Sequence, residues 1–308
     1  MEFNYVRLRL TVATDHPHGL IKRWYGCAPA FSTAVRNRAC LSGNTVCAAC
    51  RVSATCAYHT IFGQDLTPDP VALKRFQKPP LPFVFTFPAA GHAERKQRCD
   101  LVLVGSAINH LRLFVDAFGD MLAHFGDEAD DAPHRLVCIE SLDYDGAAHQ
   151  LSDGGQLAHA GDVAVLDAAE LLRSRARPPG RFGIALVTPV RLVGDGKVLR
   201  DFDVSRFLRT LLRRVSAMAY YYCGWEMDLD FRRCAVGAGE VVALSHQFRF
   251  VAAHEQFATS GVAGSGVFSG CPEELWPFLL MGELLHVGKG ASFGMGCYSV
   301  VGMEYPEK

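Results

Sequence analysis

The fold is decided near the end of the chain, in EELWPFLLMGELLHVGKGASFGMGCYSVVG, residues 273–302. Glu273–His286 is an almost unbroken apolar run that reads as a helix, and Ser292–Gly302 carries the character of a strand. Between them lies HVGKGASFGMG, His286–Gly296, with glycines at 288, 290, 294 and 296 and one lysine, Lys289. Glycine suits positions where φ is positive or where a backbone must approach something closely. Successive N–H groups in such a turn form an anion-binding concavity, and a lysine adds a point charge. A tight structural turn asks for the same residues, and on the glycines alone it is the favoured reading. The G-x-x-x-x-G-K-[ST] order of a phosphate loop is absent, and G-x-G-x-x-x-G is not the dinucleotide fingerprint.

Working outward, Phe182–Val193 reads as a strand, Val204–Cys223 as a long helix, and Val241–Ala252 and Gly261–Phe268 as two strands. With the closing helix and strand this gives β-α-β-β-α-β. The first half repeats the order. Residues 3–13 alternate as a strand does, and Gly19–Arg38 is helix-compatible but must break or kink at Pro29. Phe83–Phe87 and Asp100–Gly105 read as strands, Leu111–Phe125 as an amphipathic helix and Arg135–Tyr144 as a strand. Pro68–Pro82 is a connection. The reading is α+β: two tandem ferredoxin-like (RRM-like) domains, 1–175 and 176–308, joined near RSRARPPG. A cysteine-rich insertion, about 39–62, interrupts the first. A single mixed α+β domain is the alternative.

Composition bounds the function. The chain has 308 residues, 49% of them hydrophobic, and a formal net charge of −1. No secretory segment opens it and no apolar run reaches the roughly 18 residues of a membrane span, so a soluble, cytoplasmic protein without a membrane partner is expected. Eleven cysteines, an odd number, fit reduced thiols or metal ligands better than a disulfide framework. The charge is unevenly spread. Residues 116–153 hold ten acids and one base, whereas 173–214 hold eleven bases and three acids. A polyanion would be held by the second stretch and repelled by the first.

Three patches together resemble the CRISPR-associated precursor-RNA processing endoribonucleases of the RAMP superfamily. ELLHVGKGASFGMGCYSV is similar to that superfamily's C-terminal glycine-rich loop. FGIALVTPVRLVGDGKVLRDFDVSRFLRTLLRRVSAMAYYY is similar to the first strand and helix of its second domain. CLSGNTVCAACRVSATCAYHTIFG is similar to the cysteine-rich segment of one branch. The resemblance implies an antiviral-defence nuclease that binds CRISPR repeat RNA. It would cleave precursor crRNA without a metal, the RNA's own 2′-hydroxyl attacking the adjacent phosphate to leave a 2′,3′-cyclic phosphate and a 5′-hydroxyl. A non-catalytic RAMP subunit that holds crRNA among other effector-complex subunits shares the loop and is the second reading. A cysteine-cluster RNA-binding or redox protein is the third.

The chemistry needs a base for the 2′-hydroxyl, an acid for the 5′-oxygen and cations for the developing charge. Histidine suits the first two. His16 and His18 follow the first strand, with Lys22, Arg23 and Tyr25 behind them, and the resemblance implies catalytic residues in this region. His16, His18 and Arg23 are therefore the catalytic candidates, though two loop histidines beside Pro17 are also simply what an exposed loop contains. Arg23 with Arg38 offers a slower scheme, because arginine stays charged and is a poor base. Arg206, Arg209 and Arg213 fall at i, i+3 and i+7 on one helix face, with Arg214 beside them. No acid lies between Ser205 and Trp225 to pair with them. With Lys22, Arg38, Gly288, Lys289 and Gly290 they are the RNA-binding candidates, and Arg173, Arg175 and Arg177 are neighbours. A solvated basic face is the alternative.

The spacing C-x6-C-x2-C-x5-C of Cys40, Cys47, Cys50 and Cys56 supplies four thiolates, enough for a closed tetrahedral site. Structural zinc is the first expectation, an iron–sulfur cluster the second, and four free thiols the alternative. No cofactor is expected for catalysis. Tyr220–Tyr222 could stack a base, but consecutive helical residues point to different sides, so at least one is core. His246, His254 and His286 are expected to pack or cap.

Overall fold

The computed structural model describes residues 3–43, 46–76, 78–88, 94–125, 134–158, 162–174, 180–194, 196–253, 257 and 259–302. Its first half runs β1 (Asn4–Ala13), α1 (Pro17–Trp24), α2 (Ala28–Ala39), α3 (Ala57–Phe62), α4 (Pro70–Arg75), β2 (Phe83–Thr86), β3 (Lys96–Val104), α5 (Leu111–Phe125), β4 (Arg135–Leu142), β5 (Ala148–Asp153), β6 (Leu166–Asp167) and α6 (Ala168–Ser174). Its second half runs β7 (Arg181–Val190), β8 (Val193–Gly194), β9 (Lys197–Val198), α7 (Val204–Cys223), α8 (Phe231–Glu240), β10 (Val242–His246), β11 (Arg249–Val251), β12 (Gly261–Ser269), α9 (Trp276–Leu285) and β13 (Tyr298–Gly302).

The first sheet has the order β2-β3-β1-β4-β5 and the second β10-β12-β7-β13, with antiparallel pairings. Within each half, counting the four strands of a β-α-β-β-α-β unit, this is the ferredoxin-like order 4-1-3-2. The tandem α+β architecture expected from the sequence is present.

Alternation decides what each sheet covers. On β1, Val6, Leu8, Leu10 and Val12 are fully buried on one face, against Trp24 of α1, Phe31 of α2 and Phe114 and Phe118 of α5. Trp24 stacks on Phe87 at 4.9 Å and on Phe118 at 5.9 Å. The other face contributes Tyr5, Val84, Val102 and Val104 to a cluster with Leu211 and Met218 of α7, Leu279 and Leu285 of α9, and Phe182 and Ile184 of the second sheet. Both sheets therefore share the layer formed by α7 and α9.

Local chemistry sets the helix ends. Asp203 caps α7 by accepting the Arg206 N–H at 2.9 Å, and Gly224, at φ +64°, ends it in the left-handed conformation. The break expected at Pro29 falls just before it. Tyr25–Cys27 separate α1 from α2, and Pro29 sits in the first turn of α2, where its missing N–H costs nothing. The connection Pro68–Pro82 contains α4, capped by Asp69, whose carboxylate accepts the Val71 N–H at 2.8 Å. The strand expected over Val241–Ala252 is divided into β10 and β11, and Ser292–Cys297 belongs to the loop before β13 rather than to the strand. Most of the RSRARPPG joint, with Arg175 and Arg177, lies outside the described residues, as does His254.

Candidate functional site

The glycine loop is built on positive φ angles. His286 leaves α9 at φ +55°, and Gly296, at φ +67°, has no room for a side chain: a Cβ there would stand 1.8 Å from the Val287 carbonyl oxygen. The loop is sewn to the end of β7. Lys289 N–H donates to Arg191 O at 3.0 Å and Gly296 N–H to Pro189 O at 3.1 Å. The Thr188 hydroxyl donates to Gly294 O at 2.8 Å and accepts the Cys297 N–H at 2.9 Å.

The same loop reaches the first domain. Phe85 N–H of β2 donates to Ser292 O at 3.0 Å, and Phe293 sits among Phe83, Phe85 and Phe31, with ring centroids 5.4–6.3 Å away. Only the tip faces solvent: Lys289 and Gly290 are exposed and Gly288 is half-buried, whereas Ala291, Ser292 and Gly294–Gly296 are buried. Both sequence expectations thus have a place in one loop. Its body is a structural turn, and its tip carries a cation on a glycine-flanked backbone.

His286 is fully buried, with Nε2 3.1 Å from Thr86 Oγ1. Burial, and then the nearby Arg214 guanidinium, push its pKa down to about 3, so it is neutral at physiological pH and unsuited to donate a proton. Arg214 turns inward, its Nε donating to Leu285 O at 2.8 Å and its Nη2 to Ser292 Oγ at 3.3 Å; burial lowers its pKa to about 10. Of the four arginines on α7, this one holds the loop in place.

The other three differ. Arg213 is exposed; Arg209 folds back to Ser205, its Nη2 2.6 Å from Oγ; Arg206 lies against the β8–β9 hairpin at Gly194. Among the described residues none of their guanidinium groups is paired with an acid, Asp203 meeting Arg206 only at its backbone N–H. Arg191 went unremarked in the sequence, although TPVRL contains it. Its carbonyl holds the Lys289 N–H and its Nε is buried without a partner, so it stands beside the loop's exposed lysine. If this face tracks phosphates, replacing Arg206, Arg209 and Arg213 by alanine will reduce the slope of log K against log salt by about 2–3 for single-stranded RNA. Titrations at several ionic strengths measure it, and an unchanged slope would mark the face as merely solvated.

α1 carries the catalytic candidates at opposite ends. His16 and His18 are exposed at its start, and among the described residues neither imidazole has a hydrogen-bond partner. The His16 N–H donates to Thr14 Oγ1 at 3.0 Å, and that hydroxyl lies 2.8 Å from His134 Nδ1. At the far end Tyr25 abuts the loop, where a Cβ on Gly294 would come within 3.1 Å of its ring. Seven residues of helix, roughly 10 Å, separate His18 from that contact. Arg23, two residues from Tyr25, is the nearest of the three. It lies 5.6 Å from the Phe125 ring centroid and lines a groove of about 900 Å³ between α2 and α5, together with Thr33, Asn37, Asp120 and His124. Lys22 is exposed beside it. Arg38 grips Asp120 through two nitrogens and reaches Asp116 at 3.4 Å. It is committed to fastening α2 on α5, and a phosphate would have to displace a carboxylate to reach it.

The three tyrosines that close α7 are used by their hydroxyls. Tyr220 meets Thr67 Oγ1 at 2.9 Å, Tyr221 donates to Phe76 O at 2.9 Å and Tyr222 to Pro80 O at 2.6 Å. Phe76 stacks on Tyr220 at 4.9 Å. They strap residues 67–80 of the first half onto the second rather than offering a face to a base.

Two tandem ferredoxin-like folds, the second closed by a C-terminal glycine loop, define the class of architecture. A family model described as an N-terminal domain (AF_1859_N) matches residues 3–163, and one described as CRISPR-associated endoribonuclease Cas6 matches residues 184–298. The second half of the chain thus carries a Cas6-type domain, and together the matches support a CRISPR-associated Cas6-type processing protein. The fold is that of a Cas6 product complex (TM-score 0.56, 14% identity, 96% of this chain and 99% of the other). It is also that of Thermus thermophilus Cas6 (TM-score 0.54, 13% identity, 97% and 99%). A partial Cas6–RT–Cas1–Cas2 complex is similar as well (TM-score 0.53, 11% identity, 97% of this chain and 46% of that chain). No curated protein sequence matches the chain closely enough to count as a relative. No helix among the described residues is long and apolar enough to cross a membrane.

Proposed function

We propose that this protein binds CRISPR repeat RNA and cleaves precursor crRNA by attack of the RNA's own 2′-hydroxyl, with no metal in the reaction. The products are a 2′,3′-cyclic phosphate and a 5′-hydroxyl. The observation that carries the proposal is the loop tip, Gly288–Lys289–Gly290, held beside Arg191 and abutted at its base by α1. The scissile phosphate lies against the tip, and the basic face of α7 follows the backbone beyond it. His16 and His18 exchange the protons and Arg23 stabilises developing charge. The protein works in the cytoplasm and passes its product to other CRISPR subunits; one structural neighbour is itself part of a Cas6–RT–Cas1–Cas2 assembly.

The test is incubation of a labelled repeat RNA in EDTA beside the same RNA carrying 2′-deoxy at the cut position. Cleavage of the first and not the second is expected. Cleavage of both, or a requirement for added divalent cation, would overturn the mechanism. The second reading, a non-catalytic subunit that retains crRNA, is favoured by the separation of His18 from the loop and by the engagement of Arg38 with Asp116 and Asp120. Tight, salt-sensitive binding without cleavage would establish it.

A further inference from the structure

The cysteine insertion lacks what normally holds a chain segment in place. Between Leu41 and Thr55 no hydrophobic side chain among the described residues is buried; Leu41 is 94% exposed, Val46 55% and Val52 46%. Its two ends are firm. Cys40 follows the last turn of α2, and Cys56 precedes α3, whose Phe62 packs on Phe83 at 5.8 Å and whose Tyr58 hydroxyl lies 3.2 Å from Ser32 Oγ. The excursion between them folds into two 3-10 turns. Cys50 N–H closes one on Cys47 O at 3.0 Å, and Cys56 N–H closes the other on Ser53 O at 3.2 Å. A segment that buries no apolar side chain of its own gains order from a cross-link.

The cross-link is at hand. Cys40, Cys47, Cys50 and Cys56 line one cavity of about 10 Å³, together with Ser42, Tyr58 and His59. Such a volume holds one atom-sized guest. Ser42 Oγ stands 3.4 Å from the Cys50 sulfur and 3.8 Å from that of Cys40. The remaining seven cysteines lie elsewhere in the fold, and none lines this cavity. Among the described residues no three donors yet stand at ligand spacing, so binding must draw the sulfurs inward, which couples it to ordering of the turns.

We propose that this cavity is the site of one structural zinc-class cation, held tetrahedrally by the thiolates of Cys40, Cys47, Cys50 and Cys56. Four thiolates complete a tetrahedral set, so His59 is assigned to the wall, with its Nε2 2.7 Å from Asp65 and its buried Nδ1 without a partner. The cation staples the end of α2 to the start of α3. It takes no part in RNA cleavage.

Protein purified under reducing conditions without chelator should contain one zinc per chain by elemental analysis. Exchange with cobalt(II) should give the thiolate charge-transfer bands and strong visible absorption of a tetrahedral cobalt–thiolate site. The Cys47→Ser/Cys50→Ser protein should lose both signals, and His59→Ala should keep them. In the unaltered chain, added zinc should protect four thiols from alkylation and the 41–55 segment from proteolysis, a readout that survives even if the serine variant fails to fold. No metal uptake after reduction, iron with sulfide in place of zinc, a disulfide within the segment, or loss of stoichiometry in His59→Ala would each overturn the four-thiolate assignment.

Discussion

Replacing His16 and His18 together by alanine is expected to slow cleavage of the cognate repeat by roughly 10²–10⁴-fold, the usual worth of positioned acid–base groups, while leaving RNA binding near normal. Both rings are exposed at the start of α1 and neither is consumed by a hydrogen bond among the described residues, so their removal should not disturb the fold. The buried face of α1, Leu20, Ile21 and Trp24, is untouched by the change. One group must start neutral and the other charged, so the unaltered protein should show a bell-shaped pH profile that the double variant lacks. Single-turnover cleavage, with binding measured on 2′-deoxy RNA, separates the two effects. Unchanged cleavage in the double variant, with a large loss in Arg23→Ala, would move the chemistry to the end of α1 that adjoins the loop.

Gly296→Ala is the substitution expected to cost most in stability. At φ +67° an L-residue is strained, and the added methyl would lie against the Val287 carbonyl, which is backbone and cannot swing aside. The carbonyl oxygen and N–H of Gly296 also pair with Val287 and Pro189 at 3.1 Å each. A loss of roughly 3 kcal/mol or more is expected, in the tail of single-substitution effects. Denaturant melts of the intact chain measure it, and because the tip is held by these bonds, RNA binding should fall with it. Lys289→Ala is the control: its side chain is exposed, so it should weaken binding and leave the melt unmoved. A Gly296→Ala protein as stable as its parent would show that the loop is looser than its geometry indicates.

Much of the scaffold was legible where local signals agree. Leu111–Phe125 and Val204–Cys223 coincide with α5 and α7, because apolar periodicity and, for α7, Asp203 and Gly224 point the same way. α8 gave little signal. FRRCAVGAGE contains two glycines, and Gly237 is small because Pro272 packs against it; a Cβ there would come within 2.7 Å of the ring. α4 was hidden by the prolines around it, and β5 by its polar composition. The glycine loop stood out as a loop, but its attachment to β2 joins residues some 200 positions apart, and no short stretch records such a pairing. Periodicity likewise put Arg213 and Arg214 on one basic helix, and only packing shows that one faces solvent while the other supports the loop.

The insertion of Phe293 among Phe31, Phe83 and Phe85 has an evolutionary consequence. One half of the chain supplies a ring to the interior of the other, and the tyrosine strap returns the favour by gripping residues 67–80. Exchanging either half for that of a distant homologue would therefore have to preserve both contacts. Hybrid proteins joined near residue 180 should fold only when the aromatic socket and its plug come from the same parent.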